Sequence, residues 1–565
     1  MRGARADALA RLSLEQKVGQ MFMLAFAGPI PADAAVLVRE HHVGACYLSN
    51  DNFADPDQAT ALATALQGLA LEGSGIPLLL GADQEGAWAV LTPWSCPGPG
   101  NMGLGAAGSP DLTRAMYRVF GEELRTVGLN LDLAPAADVN TNPQNTIIGM
   151  RSFGEQPGAV AEHVQAAIAG LHDAGVGATA KHFPGHGDTA VDTHRGLPAV
   201  DRPRASLEER ELRPFRAAVA SGVDVVMTAH IFFSALDRRW PATLSPAILT
   251  GLLRTEIGFN GVILTDSFNM GAVSGSFDPA DAVAHAVRAG ADMILLAEER
   301  YGREPTAYLE AQVTLVRSLI AAVRRGEVEQ ARIDGAVSRI LALKEKWARV
   351  GTSAPAPRAA AGGVGVPDHR ATERRAAEAA VVLVQDRRGL VPLRLRPEEH
   401  IVVASGTDPE GYRRMAAGRG IGPNVVERPA EIALREIQRR HARTSFVNVP
   451  PEDLGRAPAL AEEAAVIVVV TEKFPLAGFD FPDESQHRFI DALLSARRAP
   501  VVVLGCRDPY EVARVSGVDA YISAMGYRAP SVAAAVQVLF GEMRARGRLP
   551  VSVPGLYPVG WSAAP

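Results

Sequence analysis

Cysteine is scarce: Cys46, Cys96 and Cys506 are the only three in 565 residues, odd in number and far apart. They form no disulfide framework and show none of the CxxC spacing of a thiolate zinc site. Cationic excess is missing as well. Lys and Arg total 57 against 63 Asp and Glu, a net charge of −6, so no basic surplus is available to neutralise a phosphate backbone and nucleic acid is not expected as a partner. The longest apolar run, Ala464 to Val470, falls far short of the ~18 residues of a membrane span, and no membrane association is expected. The opening MRGARADALARLSLEQKVGQ lacks the unbroken apolar stretch of a secretory signal, which makes a cytoplasmic location the expectation. Lysine itself is rare, confined to Lys17, Lys181, Lys344, Lys346 and Lys473. Where arginine is the default cation, each of these positions hints at a need for a compact ammonium.

What is present is length and alternation. The chain exceeds the roughly 250–300 residues that one core usually serves, so two domains are expected. Short apolar runs occur at Met21–Phe26, Val43–Ser49, Pro77–Asp83, Asn130–Pro135, Val176–Phe183, Val223–His230, Gly261–Asp266 and Ala291–Ala297. Amphipathic stretches lie between them, among them Pro110–Val127, Ser206–Ser221, Ser245–Ile257 and Pro279–Ala289. Eight repeats of strand and helical crossover predict a (β/α)8 TIM-like barrel, here spanning residues 1–350. Residues 351–370, rich in Gly, Ala and Pro, read as a linker. Beyond it, candidate strands Ala380–Gln385, His400–Ala404, Ala465–Thr471, Pro500–Gly505 and Asp519–Ser523 alternate with helical stretches at Ser485–Ala496 and Ser531–Phe540. They predict a smaller α/β sandwich domain over 371–565, with a packing and substrate-shaping role.

Barrels of this kind carry function at the C-terminal ends of their strands. Those ends hold Asp83, Asp132, Lys181 with His182, His230, Asp266, and Glu298 with Glu299, a density of titratable groups that favours an enzyme. The richest segment is KHFPGHGDTAVDTHRGLP, residues 181–198, where Gly185 and Gly187 relax the backbone on either side of His186. In an extended piece, Asp192 and His194 point to one face, where the carboxylate can hydrogen-bond a ring nitrogen and orient a general acid/base. A solvated surface pair would show the same spacing. Asp266, after a mostly apolar strand, suits either a carboxylate at the barrel mouth or a helix N-cap. His186 and His230 read best as structural groups that hold a loop or strand end by hydrogen bonds.

These motifs resemble glycoside hydrolase family 3, in its β-N-acetylglucosaminidase branch. The resemblance rests on KHFPGHG at 181–187 followed by Asp192, Thr193 and His194, and on DQEG at 83–86, RSFG at 151–154, MTAH ending at His230, PATLS at 241–245, LTDSFNM around Asp266 and AGAD at 289–292. DPYEV from Asp508 and GRLPVSVP at 547–554 extend it through the second domain. It implies a retaining, exo-acting hydrolase of terminal β-linked GlcNAc in the recycling of amino sugars from peptidoglycan. Asp266 would be the nucleophile, His194 the acid/base and Asp192 its orienting partner, with Asp83, Arg151, Lys181 and His182 holding the sugar; no cofactor and no metal are implied. One departure stands out. The branch usually follows DQEG with glycine and then an arginine that reaches the sugar, whereas this chain reads Ala87, Trp88, Ala89, Val90, Leu91. A preference extending to β-glucosides becomes an alternative.

A histidine in place of the second carboxylate of a retaining pair leaves the acceptor side neutral or cationic, so inorganic phosphate could compete with water and make the chain a phosphorylase. Two other classes compete. A metal-dependent amidohydrolase-type barrel could use His182, His186, His230 and Asp266, but such barrels open with an HxH pair on the first strand, and Met21–Phe26 has no histidine. A non-catalytic sugar-binding protein would bind glycans and leave aryl glycosides intact.

Overall fold

The computed structural model describes residues 2–30, 32–86, 88–145, 147–190, 193, 196–297, 305–348, 362–407, 409–410, 412, 427–472, 483–496 and 498–564. Its first unit is a parallel barrel. The strands are Phe22–Ala25, Ala45–Tyr47, Leu79–Ala82, Leu131–Asp132, Gly177–Phe183, Val225–Thr228, Val262–Leu264 and Ile294–Leu296, each pairing in parallel with its neighbours in chain order. The eighth lies beside the first, with Phe22 opposite Ile294. A bridge from Leu264 to Met293 and the bond from Thr265 N to Met293 O (3.0 Å) bring the seventh against the eighth. Every residue of these strands is buried, which is why they read as short continuous apolar runs and not as alternating ones.

The outer helices begin where their caps dictate. Ser109 accepts from Leu112 N (3.2 Å) with Pro110 at the first turn, and Asp278 accepts from Ala280 N and Asp281 N (both 3.0 Å) ahead of Pro279–Ala289. Two crossovers differ from the expected form. The stretch predicted as one helix over Ser206–Ser221 is two, Arg204–Glu209 and Leu212–Ala220, because Pro214 has no N–H for the Arg210 carbonyl and its ring crowds that oxygen. The stretch Ala247–Glu256 is wound as a π-helix.

The second unit is a six-stranded sheet whose order, by position in the chain, is first, sixth, fifth, fourth, second, third. The strands are Val382–Asp386, Ile401–Ser405, Thr444–Asn448, Val466–Thr471, Val501–Gly505 and Ala520–Ser523; only Val382–Asp386 runs antiparallel to its neighbour. Thr444–Asn448 has no counterpart among the expected strands. It is an edge strand, half-buried throughout, so its sequence TSFVN carries no apolar run.

Part of the expected linker, 351–361, lies outside the described residues, and helix Pro367–Ala380 opens before residue 370. That helix packs on Asn101–Ala107 and Pro110–Thr126 of the barrel and on Ala529–Leu539 of the second unit. Its His369 lies 3.0 Å from carboxylate oxygens of both Glu122 and Glu123. Trp88, Met102, Ala106, Ile147, Ile148 and Met150 of the barrel loops belong to the apolar core of the second unit. Asn140 Nδ2 donates to Tyr510 OH (2.9 Å), and Ser552 N and Oγ donate to Glu155 (2.8 and 2.9 Å). The two units are thus packed against each other over the loops that follow the third and fourth barrel strands.

Candidate active site

Strand ends from around the barrel converge on one pocket at its mouth, lined among others by Tyr47, Asp83, Trp88, Arg151, Lys181, His182, His186, Thr193 and Asp266. Each strand ends just short of its contribution: Leu79–Ala82 before Asp83, Val262–Leu264 before Asp266, while Lys181 and His182 lie within the last turn of pleat of Gly177–Phe183. Arg151 comes from the loop after the fourth strand. Its carbonyl accepts from Asn101 Nδ2 (2.7 Å), which ties that loop to the helix above the third strand.

The floor is a compensated charge cluster. Lys181 Nζ pairs with Asp83 and with Glu85 (2.5 Å), and Arg151 grips Glu85 through Nε and Nη2, both at 2.8 Å. Tyr47 OH donates to the other oxygen of Asp83 (2.8 Å). All four charges are buried, two of each sign, so none is left uncompensated in a region of low dielectric. Burial alone would raise the Glu85 carboxyl, but Arg151 and Lys181 outweigh it and hold it at about 2. Burial likewise works against the Lys181 ammonium, and Asp83 and Glu85 overcome it, raising its pKa above the ordinary value. Both cations therefore stay charged, with donors fixed in direction.

His182 is aimed by Asp138, whose Oδ2 lies 2.8 Å from His182 Nδ1 while Oδ1 accepts the backbone N–H of both His182 (3.2 Å) and His186 (2.6 Å). Arg151 Nη2 lies 3.3 Å from His182 Nε2. This network assigns the ring proton to Nδ1 and turns the Nε2 lone pair to the guanidinium. His186 sits between Thr189 Oγ1 on Nδ1 (2.7 Å) and Thr193 Oγ1 on Nε2 (3.2 Å), and burial pushes its pKa down to about 4. His230 spans Thr243 Oγ1 (2.9 Å) and Ser267 O (3.0 Å), pinning the strand end beside Asp266. The structural reading of both histidines agrees with these bonds. The ring nitrogens that an amidohydrolase-type metal would need are thus occupied, and among the described residues no group of three or more His, Cys, Asp or Glu is placed to hold a metal ion.

Asp266 is half-buried and accepts from Ser267 N (2.8 Å). It is not an N-cap: the next helix, Gly271–Ser274, is preceded by Met270. Asp132 is fully buried and absent from the pocket lining; Oδ1 accepts Gln84 N (3.0 Å), Oδ2 has no hydrogen-bond partner among the described residues, and burial drives its pKa well above the carboxylate range. Asp192, His194, Glu298 and Glu299 lie outside the described residues. Thr193, between the first two, is buried against the same pocket, and its carbonyl accepts from Ala272 N (3.0 Å).

Of the expected sugar contacts, Asp83, Arg151, Lys181 and His182 are brought together with Asp266. Sequence reasoning missed Glu85, although it stands inside the DQEG stretch, and Asp138, whose signal is only a carboxylate six residues past the fourth strand. The Trp88 departure also finds its place: the Arg151 guanidinium carbon lies 3.6 Å over the indole ring, so the tryptophan backs an arginine that lines the pocket. Leu91 is buried in the barrel core and does not line the pocket.

The family model described as glycosyl hydrolase family 3 N terminal domain matches residues 13–343, and the model described as the family 3 C-terminal domain matches residues 381–557. The chain is 34% identical over 384 residues to beta-hexosaminidase A of Pseudoalteromonas piscicida, covering 65% of this chain but only 63% of that protein, less than two thirds of its length. It is 33% identical over 399 residues to the beta-N-acetylglucosaminidase/beta-glucosidase of Cellulomonas fimi, covering 68% and 67%. A family 3 beta-N-acetylglucosaminidase structure from Paenibacillus sp. str. FPU-7 matches with a TM-score of 0.84 at 32% identity, over 96% of this chain and 99% of that one. A barrel with Lys181 and His182 at its fifth strand end, Asp266 at its seventh, and a family model matching well over half of the residues place the conclusion beyond resemblance: this chain belongs to glycosyl hydrolase family 3.

Proposed function

We propose that the chain is a retaining, exo-acting β-N-acetylglucosaminidase that releases terminal β-linked GlcNAc. The observation that carries this reading is the presence of Asp266 in the same pocket as the Asp83, Lys181, Arg151 and His182 cluster. The names of the Pseudoalteromonas, Cellulomonas and Paenibacillus relatives support the substrate class. The near-neutral cluster suits an uncharged sugar, because its donors are balanced by Asp83 and Glu85 and present no net field to an anion.

In the first step Asp266 attacks C1, the C1–O bond to the aglycone breaks, and protonated His194 gives its proton to the departing oxygen. In the second, His194 takes a proton from water, the resulting hydroxide bonds C1, and the ester to Asp266 breaks with retained configuration. Asp192 orients and charge-stabilises the imidazole. The burial of Thr193 against the pocket supports this role, since it anchors the residue between Asp192 and His194 beside the nucleophile.

The test is turnover and trapping. Asp266→Asn should remove nearly all hydrolysis of an aryl β-N-acetylglucosaminide and abolish labelling by a slow-release fluorosugar; retained labelling would move the nucleophile elsewhere. His194→Ala should depress poor leaving groups more than nitrophenol, and equal losses would transfer the acid role to another group. A second reading, turnover of β-glucosides, is favoured by Trp88 in place of the branch's usual sequence and by the double name of the Cellulomonas relative. Phosphate as acceptor follows from the imidazole acid/base. Assays on aryl β-GlcNAc and β-glucose with and without millimolar phosphate separate these, and free sugar as the sole product eliminates the phosphorylase. The setting we assign is cytoplasmic recycling of amino sugars from peptidoglycan, which cell fractionation would overturn by finding the protein outside the cytoplasm.

A further inference from the structure

Three contacts of the sugar-binding cations originate in a single tight turn. Glu85 holds Lys181 and Arg151, Trp88 lies under Arg151, and the Glu85 N–H donates to Trp88 O (2.7 Å), closing the turn. At its apex Gly86 has φ +85°, and a Cβ there would lie 2.7 Å from Pro97 O and 2.9 Å from Gly100 Cα. Position 86 therefore has no room for a side chain. The turn's outer side is met by the second domain, where Nη1 of Arg528, the residue before helix Ala529–Leu539, donates to Gly86 O.

Arg528 is an expensive residue to place there. It is 6% exposed, and its Nε and Nη2 are buried without a hydrogen-bond partner among the described residues. Its compensation is diffuse: the Tyr527 ring at 4.8 Å, and the buried carboxyl of Glu373, which feels the Arg528 charge and accepts from Gly98 N (3.2 Å). A guanidinium has five donors, and burying it for one directed bond among the described residues is unfavourable unless that bond serves another end.

We propose that Arg528 is a positioning residue: through Gly86 O it locks the Glu85–Trp88 turn, and with it the sugar-facing Lys181 and Arg151, making the second domain part of the sugar site without touching sugar. The identity of the sugar rests on the reading above; the lock on the turn does not. Because only one N–H is used among the described residues, a lysine should be able to replace the arginine, which would not hold for a bidentate contact.

The experiment uses the full chain and three proteins, wild type, Arg528→Met and Arg528→Lys. Hydrogen–deuterium exchange is read on the peptide spanning residues 84–91, and KM and kcat are read on an aryl β-N-acetylglucosaminide. Arg528→Met should speed exchange of the Glu85 amide at least tenfold and raise KM about tenfold with kcat changed less than threefold. Arg528→Lys should bring both within about threefold of wild type. Unchanged exchange in Arg528→Met overturns the proposal, as does a loss in kcat alone or a melting-point drop with KM unmoved. A wild-type chain inactive on this substrate would refute the proposed function, and the exchange arm would still decide the role of Arg528.

Discussion

Replacing Glu85 by Gln tests whether the floor of the pocket is a compensated cluster and not merely a polar one. The change keeps volume and shape but turns an NH2 towards Arg151 or Lys181, and deprives both buried cations of the one carboxylate that pairs with each of them. Removing one partner from a buried ionic network destabilises by about 3–5 kcal/mol. A barrel matching the family over residues 13–343 unfolds with an entropy of roughly 2.1 cal/mol/K per residue, or about 0.7 kcal/mol/K, so its melting point should fall by about 4–7 °C. Scanning calorimetry at pH 7 reads this on the barrel transition, the second domain serving as internal reference where the two resolve. The sign of the pH dependence is also determined. The folded Glu85 carboxyl sits at about 2 against an ordinary 4.5, so its contribution is complete above about pH 4.5 and is lost as pH falls towards 2. The gap between wild type and variant should therefore be constant from pH 7 to 5 and narrow below 4.5. A drop of less than 2 °C at pH 7, or a gap that widens in acid, would refute the argument.

Asp138→Asn weakens the orienter of His182 and the acceptor of two backbone N–H groups, and at about 1.5–3 kcal/mol for charged hydrogen bonds should reduce kcat/KM by about tenfold to a hundredfold, with steady-state kinetics as the measure. Trp88→Leu removes a ring 3.6 Å from the Arg151 guanidinium; a desolvated cation–π contact of about 2 kcal/mol predicts a KM increase of roughly thirtyfold, and a KM within twofold of wild type would contradict it. His163 is buried against Phe153 and bonded to Thr113 Oγ1, and burial lowers its pKa to about 4. The unfolded chain thus binds a proton that the folded one refuses between pH 6.5 and 4, so stability falls as pH drops through that window, and His163→Gln should flatten the melting-point profile there.

The barrel was legible because burial on both faces of a parallel sheet writes each strand as an apolar run, so Leu79–Ala82 and Ile294–Leu296 stand out without any pairing information. Thr444–Asn448 escaped notice for the converse reason: an edge strand exposes one side, and TSFVN has no such run. The break at Arg210 needed attention to Pro214, a local signal that periodicity overrides. At the site, the groups directly on strand ends were visible, since their position relative to an apolar run is local information. Glu85 stood two residues beyond Asp83 and Asp138 in a loop, and nothing local distinguishes a buried carboxylate from a solvated one.

By itself the sequence determined the alternation of strands and crossovers, and hence the mouth of the barrel where Asp83, Lys181, His182 and Asp266 must gather, because those properties depend on the pattern of neighbours along the chain. Only the tertiary structure decided which buried charges compensate one another. Glu85 meets Arg151 across 66 residues, His182 meets Asp138 across 44, and Arg528 reaches Gly86 across 442. A charge taken from water must find its partner wherever the fold delivers one, and that choice is made by geometry after the chain has collapsed.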